Sequence, residues 1–235
     1  MAAITYVTGV RIMFEDLRTL ASQRVLPFVT TGAALLLGWS VLLLVSKAAI
    51  AAESDAQANA VAAKIATQLC SNCHGPAGNS VSPTFPKLGG QQEAYLAAQL
   101  KAFKSKSRGD PEAHDYMWGM ATLLEDSTIE GLARYYAAQP PAPGIPGDAK
   151  LIGEGRRLYE EGVPSRNIAA CASCHGKDAE GAAIFPRLAG QHAAYLARQL
   201  QVIQTQLRAS PIMHGIIKDL KPEEMKAVAA FLQSK

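Results

Sequence analysis

The sequence predicts an all-α protein: two tandem helical domains of one design, preceded by an N-terminal transmembrane helix or signal segment. Three observations carry this expectation. A five-residue stretch occurs twice, as Cys70-Ser71-Asn72-Cys73-His74 and Cys171-Ala172-Ser173-Cys174-His175, and its flanking segments repeat with it. Apolar residues between the repeats recur at helical spacing, and no alternating or β-branched run precedes either pentad. Residues 139–147 contain four prolines in nine positions, a run that ends any helix and separates the halves.

The predicted organisation is a cytoplasmic segment at 1–24, an apolar span at 25–46, a first domain at 53–139, a linker at 140–147 and a second domain at 148–235. Val25 to Ser46 contains no charged residue, and its 22 residues suffice to cross a hydrocarbon core of about 30 Å as a helix. Arg11, Arg18 and Arg24 precede it, so the positive-inside rule leaves the N-terminus in the cytoplasm and exports the rest to the periplasm. A cleaved signal peptide is the alternative: Ala33 to Val45 has the length of its apolar region, and Ala49-Ile50-Ala51 has the form of a cleavage site. The uncharged length, and Lys47 close after it, favour a retained anchor in the bacterial inner membrane.

In the first domain, Val61 and Ile65 mark a helix from Ala52 to about Thr67 that leads into the first pentad. The run Gly75-Pro76-Ala77-Gly78-Asn79 then turns the chain away. After Phe85-Pro86-Lys87-Leu88-Gly89-Gly90-Gln91, a helix from about Gln92 to Lys104 carries Tyr95, Leu96, Leu100 and Phe103 on one side. A polar loop leads to Met117-Trp118-Gly119-Met120, and Ser127-Thr128-Ile129-Glu130 has the form of a capping box for a last helix to about Ala138.

The second half answers element by element. Asp148 caps a helix to about Glu161, Phe185-Pro186-Arg187-Leu188-Ala189-Gly190-Gln191 answers residues 85–91, and Ala194 to Leu200 answers Ala94 to Leu100. Met213-His214-Gly215-Ile216 answers 117–120, and Pro222 opens a final helix ending near Gln233.

The pentads carry the chemistry. In a Cys-x-x-Cys-His turn the two thiols can bond to haem vinyl groups while the imidazole becomes an axial iron ligand. Cys70, Cys73, Cys171 and Cys174 are the chain's four cysteines, and the two motifs use all of them. Zinc would want the second cysteine pair about 15 to 20 residues away. A thioredoxin-like motif would follow a strand, and simple disulfides need no histidine. Two covalently attached c-type haems are therefore expected, with His74 and His175 on the irons.

The second ligand decides between electron transfer and chemistry. Aligning Leu124 with Leu220 places Met117 opposite Met213, the methionines matched between the halves, whereas Met120 falls opposite Ile216. Met117 and Met213 are the expected sixth ligands, with Met120 as rival in the first domain. Met225 aligns with Ile129 and reads as core packing. A haem closed by methionine has no position for a substrate, which points to a carrier rather than an enzyme. Near the axial histidines, a backbone carbonyl at Pro86 and at Pro186 is expected to accept the Nδ1 proton. His114, His192 and His214 read as solvated or hydrogen-bonding surface residues, and Trp118, Tyr95 and Tyr195 as packing of the haem pockets.

Charge excludes one class of partner. Beyond residue 52 the chain carries 19 basic and 18 acidic residues, with no basic stripe of the kind nucleic acid requires. Residues 53–141 hold 7 basic and 9 acidic groups, and residues 142–235 hold 12 and 9, so a partner meets two ends of opposite formal sign.

The two pentads, the doubled Phe-Pro-Lys/Arg-Leu-Gly/Ala-Gly-Gln segment with Tyr-Leu-x-x-Gln-Leu after it, and the Met-bearing loops together resemble the dihaem cytochrome c4 family over residues 55–235. The resemblance implies two class I cytochrome c folds about a pseudo-twofold axis, with the haems close. It implies periplasmic electron transfer towards a terminal oxidase, and it carries the ligand pairs over to His74 with Met117 and His175 with Met213. Family members are often released or loosely attached, so an anchor at Val25 to Ser46 would be atypical. A quinol-oxidising complex or a periplasmic dehydrogenase would be the donor. Two other functions compete: a fixed electron-transfer subunit of an oxidoreductase complex, and a dihaem peroxidase-like enzyme with one open iron.

Overall fold

The computed structural model describes residues 53–235. The segment at 25–46, expected to span a membrane or to form a signal region, lies outside the described residues, as does the segment before it. Among the described residues no helix is long and apolar enough to cross a membrane.

Residues 55–235 form one body built from two helical halves. In the first, α1 (residues 53–65) runs through a π turn, Ala66–Cys70, into the short α2, Ser71–His74. Then follow α3 (Glu93–Lys104), a second π turn (Ala113–Met117), α4 (Trp118–Ala121) and α5 (Asp126–Ala137). The second half consists of α6 (Ala149–Glu161), α7 (Ala172–His175), α8 (Ala193–Gln204), α9 (Pro211–Ile217) and α10 (Pro222–Gln233). No strand occurs among the described residues. Two isolated antiparallel bridges, Val163 with Ile168 and Ala182 with Phe185, pin loops of the second half.

Local signals explain some of the boundaries. Asp148 Oδ1 accepts from the backbone N–H of Leu151 at 2.8 Å and starts α6, as expected of an N-cap. Pro222 begins α10 at a position where its missing N–H costs nothing. The expected capping box at Ser127 does not form. The helix starts one residue earlier, at Asp126 after Glu125, and has no side-chain cap. The Asp126 carboxylate instead meets Lys104 Nζ at 3.0 Å, tying α5 to the end of α3.

Each half buries its own core where its first and last helices cross. In the second half Leu158, Tyr159, Met225, Val228, Phe231 and Leu232 close around Leu196 and Ile203 of α8. In the first, Ala62, Ala66, Ile129, Leu132, Ala133 and Tyr136 pack with Leu96. Met225 is core, as its alignment with Ile129 suggests. The crossings are tight because glycine or alanine stands at the contact. A Cβ on Gly155 would lie 2.0 Å from Ala227 O, and one on Gly131 would lie 2.7 Å from Ala62 Cβ.

The proline-rich stretch is tied at both ends. Asn79 Nδ2 donates to Pro140 O at 3.2 Å, and the N–H of Ile145 donates to Gln233 O at 2.8 Å. It lies along both halves as a strap.

Candidate haem sites and the interface between them

The two pentads are single helical turns. Cysteines at i and i+3 and a histidine at i+4 lie close together on such a turn, and in each pentad the first thiol and the imidazole address the wall of a cavity. After each histidine the chain leaves through a glycine in the left-handed region, Gly75 at φ 76° and Gly176 at φ 83°. A side chain at Gly75 would press its Cβ to within 2.6 Å of Asn79 O.

His74 and His175 are buried, and each spends one ring nitrogen on a loop carbonyl. His74 Nδ1 lies 2.9 Å from Pro86 O, and His175 Nδ1 lies 3.0 Å from Pro186 O. The expected carbonyl partners are thus in place. With Nδ1 as the donor, Nε2 is left as a free lone pair directed elsewhere. Burial lowers the pKa of both imidazoles, with the carbonyl bond partly opposing it, so the ring stays neutral and able to ligate a metal. Phe85 and Phe185 stand edge-on to these rings, with centroids 6.2 and 6.3 Å away.

One cavity of about 410 Å³ serves both halves. Its lining includes Cys70, His74 and Met117 from the first half and Cys171, Cys174, His175 and Met213 from the second. Cys73 sits on the exposed side of its turn. Met117 and Met213 are half-buried on the wall, whereas Met120, the rival ligand, is 52% exposed. Burial raises the pKa of the Cys70 thiol, and that of Cys171 to about 11. None of the four cysteines is in a disulfide.

Between the halves lies a buried polar cluster that the sequence did not announce. Arg108 Nε contacts Asp110 Oδ1 at 2.6 Å, Arg108 Nη2 donates to Gln199 Oε1 at 2.8 Å, and Arg208 Nη2 donates to Tyr95 OH at 2.8 Å and to Gln99 Oε1 at 2.9 Å. Trp118 Nε1 donates to Arg108 O at 2.9 Å. Both guanidiniums are buried, and among the described residues Asp110 is the one carboxylate bonded to them, so the cluster carries a net positive charge facing the cavity. Buried Arg187 Nε and Gln199 Nε2 also lack a hydrogen-bond partner among the described residues. These donors fit the carboxylates of a haem, as the thiols fit its vinyl groups and the imidazoles its iron.

His192 departs from expectation. It is buried between the halves rather than solvated, with Nε2 2.9 Å from Ser80 O. His114 is exposed beside Asp115, and His214 is half-buried with Nδ1 3.2 Å from Ile203 O. Burial first, and then the Lys87 ammonium, lower the pKa of His192 below its ordinary 6.5. Unfolding therefore lets this ring take up a proton at mildly acid pH, so the buried ring contributes stability that is present above about pH 6.5 and is lost as the pH falls below it. Denaturant midpoints should fall between about pH 7 and 5.5, and His192→Gln, which keeps a donor for Ser80 O, should flatten that fall.

Two helical halves that present thiols, neutral imidazoles and thioethers to one cavity, with cationic donors between them, define a two-haem electron-transfer protein. The sequence model of the cytochrome c family matches this chain twice, over residues 59–137 and 152–235. Cytochrome c-552 of Acidithiobacillus ferridurans is 40% identical over 199 residues, covering 83% of this chain and 85% of that protein. The cytochrome c4 structure from Acidithiobacillus ferrooxidans superposes with a TM-score of 0.68 at 40% identity, over 71% of this chain and 98% of its own. A thiosulfate dehydrogenase electron acceptor from Thiomonas intermedia is 38% identical over 172 residues, covering 69% of this chain and 76% of that protein. The chain belongs to the dihaem cytochrome c4 family. It carries two covalently bound c-type haems and is an electron carrier, not an enzyme.

Proposed function

We propose that this cytochrome passes single electrons between periplasmic partners through two haems. One would be held by Cys70, Cys73, His74 and Met117, the other by Cys171, Cys174, His175 and Met213. The observation that carries the ligand sets is the shared cavity, whose wall includes both histidines and both matched methionines. Bound haem supplies reversible one-electron oxidation and reduction of its iron. The chain's own part is to close both axial positions, to hold each imidazole neutral with Nε2 forward, and to meet buried carboxylates with Arg108 and Arg208. The haem domains are placed at 53–139 and 148–235, joined by 140–147. The apolar segment at 25–46 is proposed as the tether to the inner membrane, with a quinol-oxidising complex as donor and a terminal oxidase as acceptor.

The relative from Thiomonas intermedia favours a second choice of donor, a periplasmic dehydrogenase of the thiosulfate-oxidising kind, with the chain as its electron acceptor. Mixing the oxidised protein with such a dehydrogenase and its substrate separates the two: haem reduction within the turnover time selects the dehydrogenase.

Haem content and carbon monoxide test the ligand sets together. Alkaline pyridine should give two haems per chain, and the reduced spectrum should not change on adding carbon monoxide, because both sixth positions are closed. A shift in half of the haem would mean one open iron and would overturn the paired methionine assignment.

A further inference from the structure

Each half carries a glutamine at the end of its Phe-Pro-Lys/Arg loop, and each glutamine reaches across to the loop of the other half. Gln191 Oε1 accepts from the backbone N–H of Lys87 at 2.9 Å, and Gln191 Nε2 donates to Lys87 O at 2.9 Å. Gln91 Oε1 accepts from the N–H of Arg187 at 2.7 Å, and Gln91 Nε2 donates to Arg187 O at 2.9 Å. Both glutamines are buried. The pairing is reciprocal, joining residues about a hundred positions apart in the chain.

The amides they grip matter. The N–H of Lys87 belongs to the same peptide group as the carbonyl of Pro86, which receives the Nδ1 proton of His74. The N–H of Arg187 is likewise one peptide group with Pro186 O, the partner of His175. Hydrogen bonds in series polarise one another, so an acceptor on the N–H makes the carbonyl of that group a stronger acceptor. A stronger acceptor draws the Nδ1 proton further and makes the imidazole a better electron donor to a metal.

We propose that Gln191 is a positioning residue for the first haem and Gln91 for the second, each setting its partner's potential across the interface through one peptide group and one imidazole. This deepens the reading above and rests on its assignment of His74 and His175 as iron ligands. It also accounts for the glutamine at the end of each repeated loop segment: the residue acts on the opposite half. Removing it weakens the carbonyl, then the imidazole's donation, and so disfavours the ferric state.

The test uses the full holoprotein, reduced and therefore diamagnetic, with residue-specific nuclear magnetic resonance assignments and a potentiometric titration. In Gln191→Ala the Nδ1–H proton of His74 should move upfield while that of His175 stays. In Gln91→Ala the pattern should reverse. The haem served by the lost glutamine should gain about threefold in ferrous over ferric iron at fixed potential, or about 28 mV at 59 mV per decade for one electron. Gln92→Ala removes the bond from Nε2 to Glu180 O across the same interface without touching either peptide group, and should move neither histidine. Unmoved Nδ1–H signals, or signals that move in both halves in every variant, would overturn the relay. The ligand assignment is read separately in the same spectra. Ring protons of His74 and His175 must lie at the high field that a haem ring current imposes, and ordinary shifts there would overturn that assignment and the relay with it.

Discussion

Replacing Met213 by histidine should lower the midpoint potential of the second haem by a few tenths of a volt, within the roughly 0.8 V that axial ligation spans. The side chain leaves α9 half-buried on the cavity wall, from which His175 also opens. Thioether sulfur favours ferrous iron, and a second imidazole favours ferric. A potentiometric titration of the variant should resolve two steps, one near its original place and one displaced downward. Met117→His should displace the other step, and Met120→His neither. A titration in which Met213→His leaves both steps in place would remove Met213 from the ligand set.

Gly155→Ala should destabilise the second half by about 3 kcal/mol, at the upper end of ordinary overpacking. The new methyl group would sit 2.0 Å from Ala227 O and 2.9 Å from Phe231 Cβ, and the first of these is backbone that cannot step aside. Helices α6 and α10 would have to separate, loosening the contacts around Tyr159 and Phe231. A loss of that size corresponds to a fall in Tm of about 10 °C for a body of this length. Gly153→Ala on the same helix is the control. Nothing lies within 4 Å of its Cβ position, and alanine there should stabilise by up to about 1 kcal/mol through helix propensity alone. Equal Tm values for the two variants would show that the crossing is looser than described.

What the sequence revealed and what it hid follow from the range of the interactions. The pentads, the Asp148 cap, Pro222 and the proline strap are local signals, readable because the chemistry sits within a few residues. The repeat extended that reach: matching the two halves singles out Met117 rather than Met120 as the expected ligand, and Met117 is the one of the two on the cavity wall. Even the carbonyls of Pro86 and Pro186 followed from knowing what an axial histidine needs. The interface did not. Arg108 with Gln199, Arg208 with Tyr95, and His192 with Ser80 join residues 91 to 113 positions apart, and no periodicity marks such pairs. His192 was misplaced for that reason: its own surroundings look solvated, and the other half buries it. Ser127 failed differently, because Lys104 takes the neighbouring Asp126 carboxylate and the helix begins one residue early.

The glycines at the two helix crossings stand on opposite partners: Gly131 on the last helix of the first half, Gly155 on the first helix of the second. Tandem repeats of one design risk exchanging equivalent helices while the chain is being made. Here the exchanged pairs do not fit. The helix at 53–65 against α10 would bring Ala62 onto a chain segment shaped to receive glycine, and α6 against α5 would set two glycines together and leave a hole. Each first helix therefore recognises its own last helix by shape, so a newly made chain can close its halves in the correct order even though their sequences are alike.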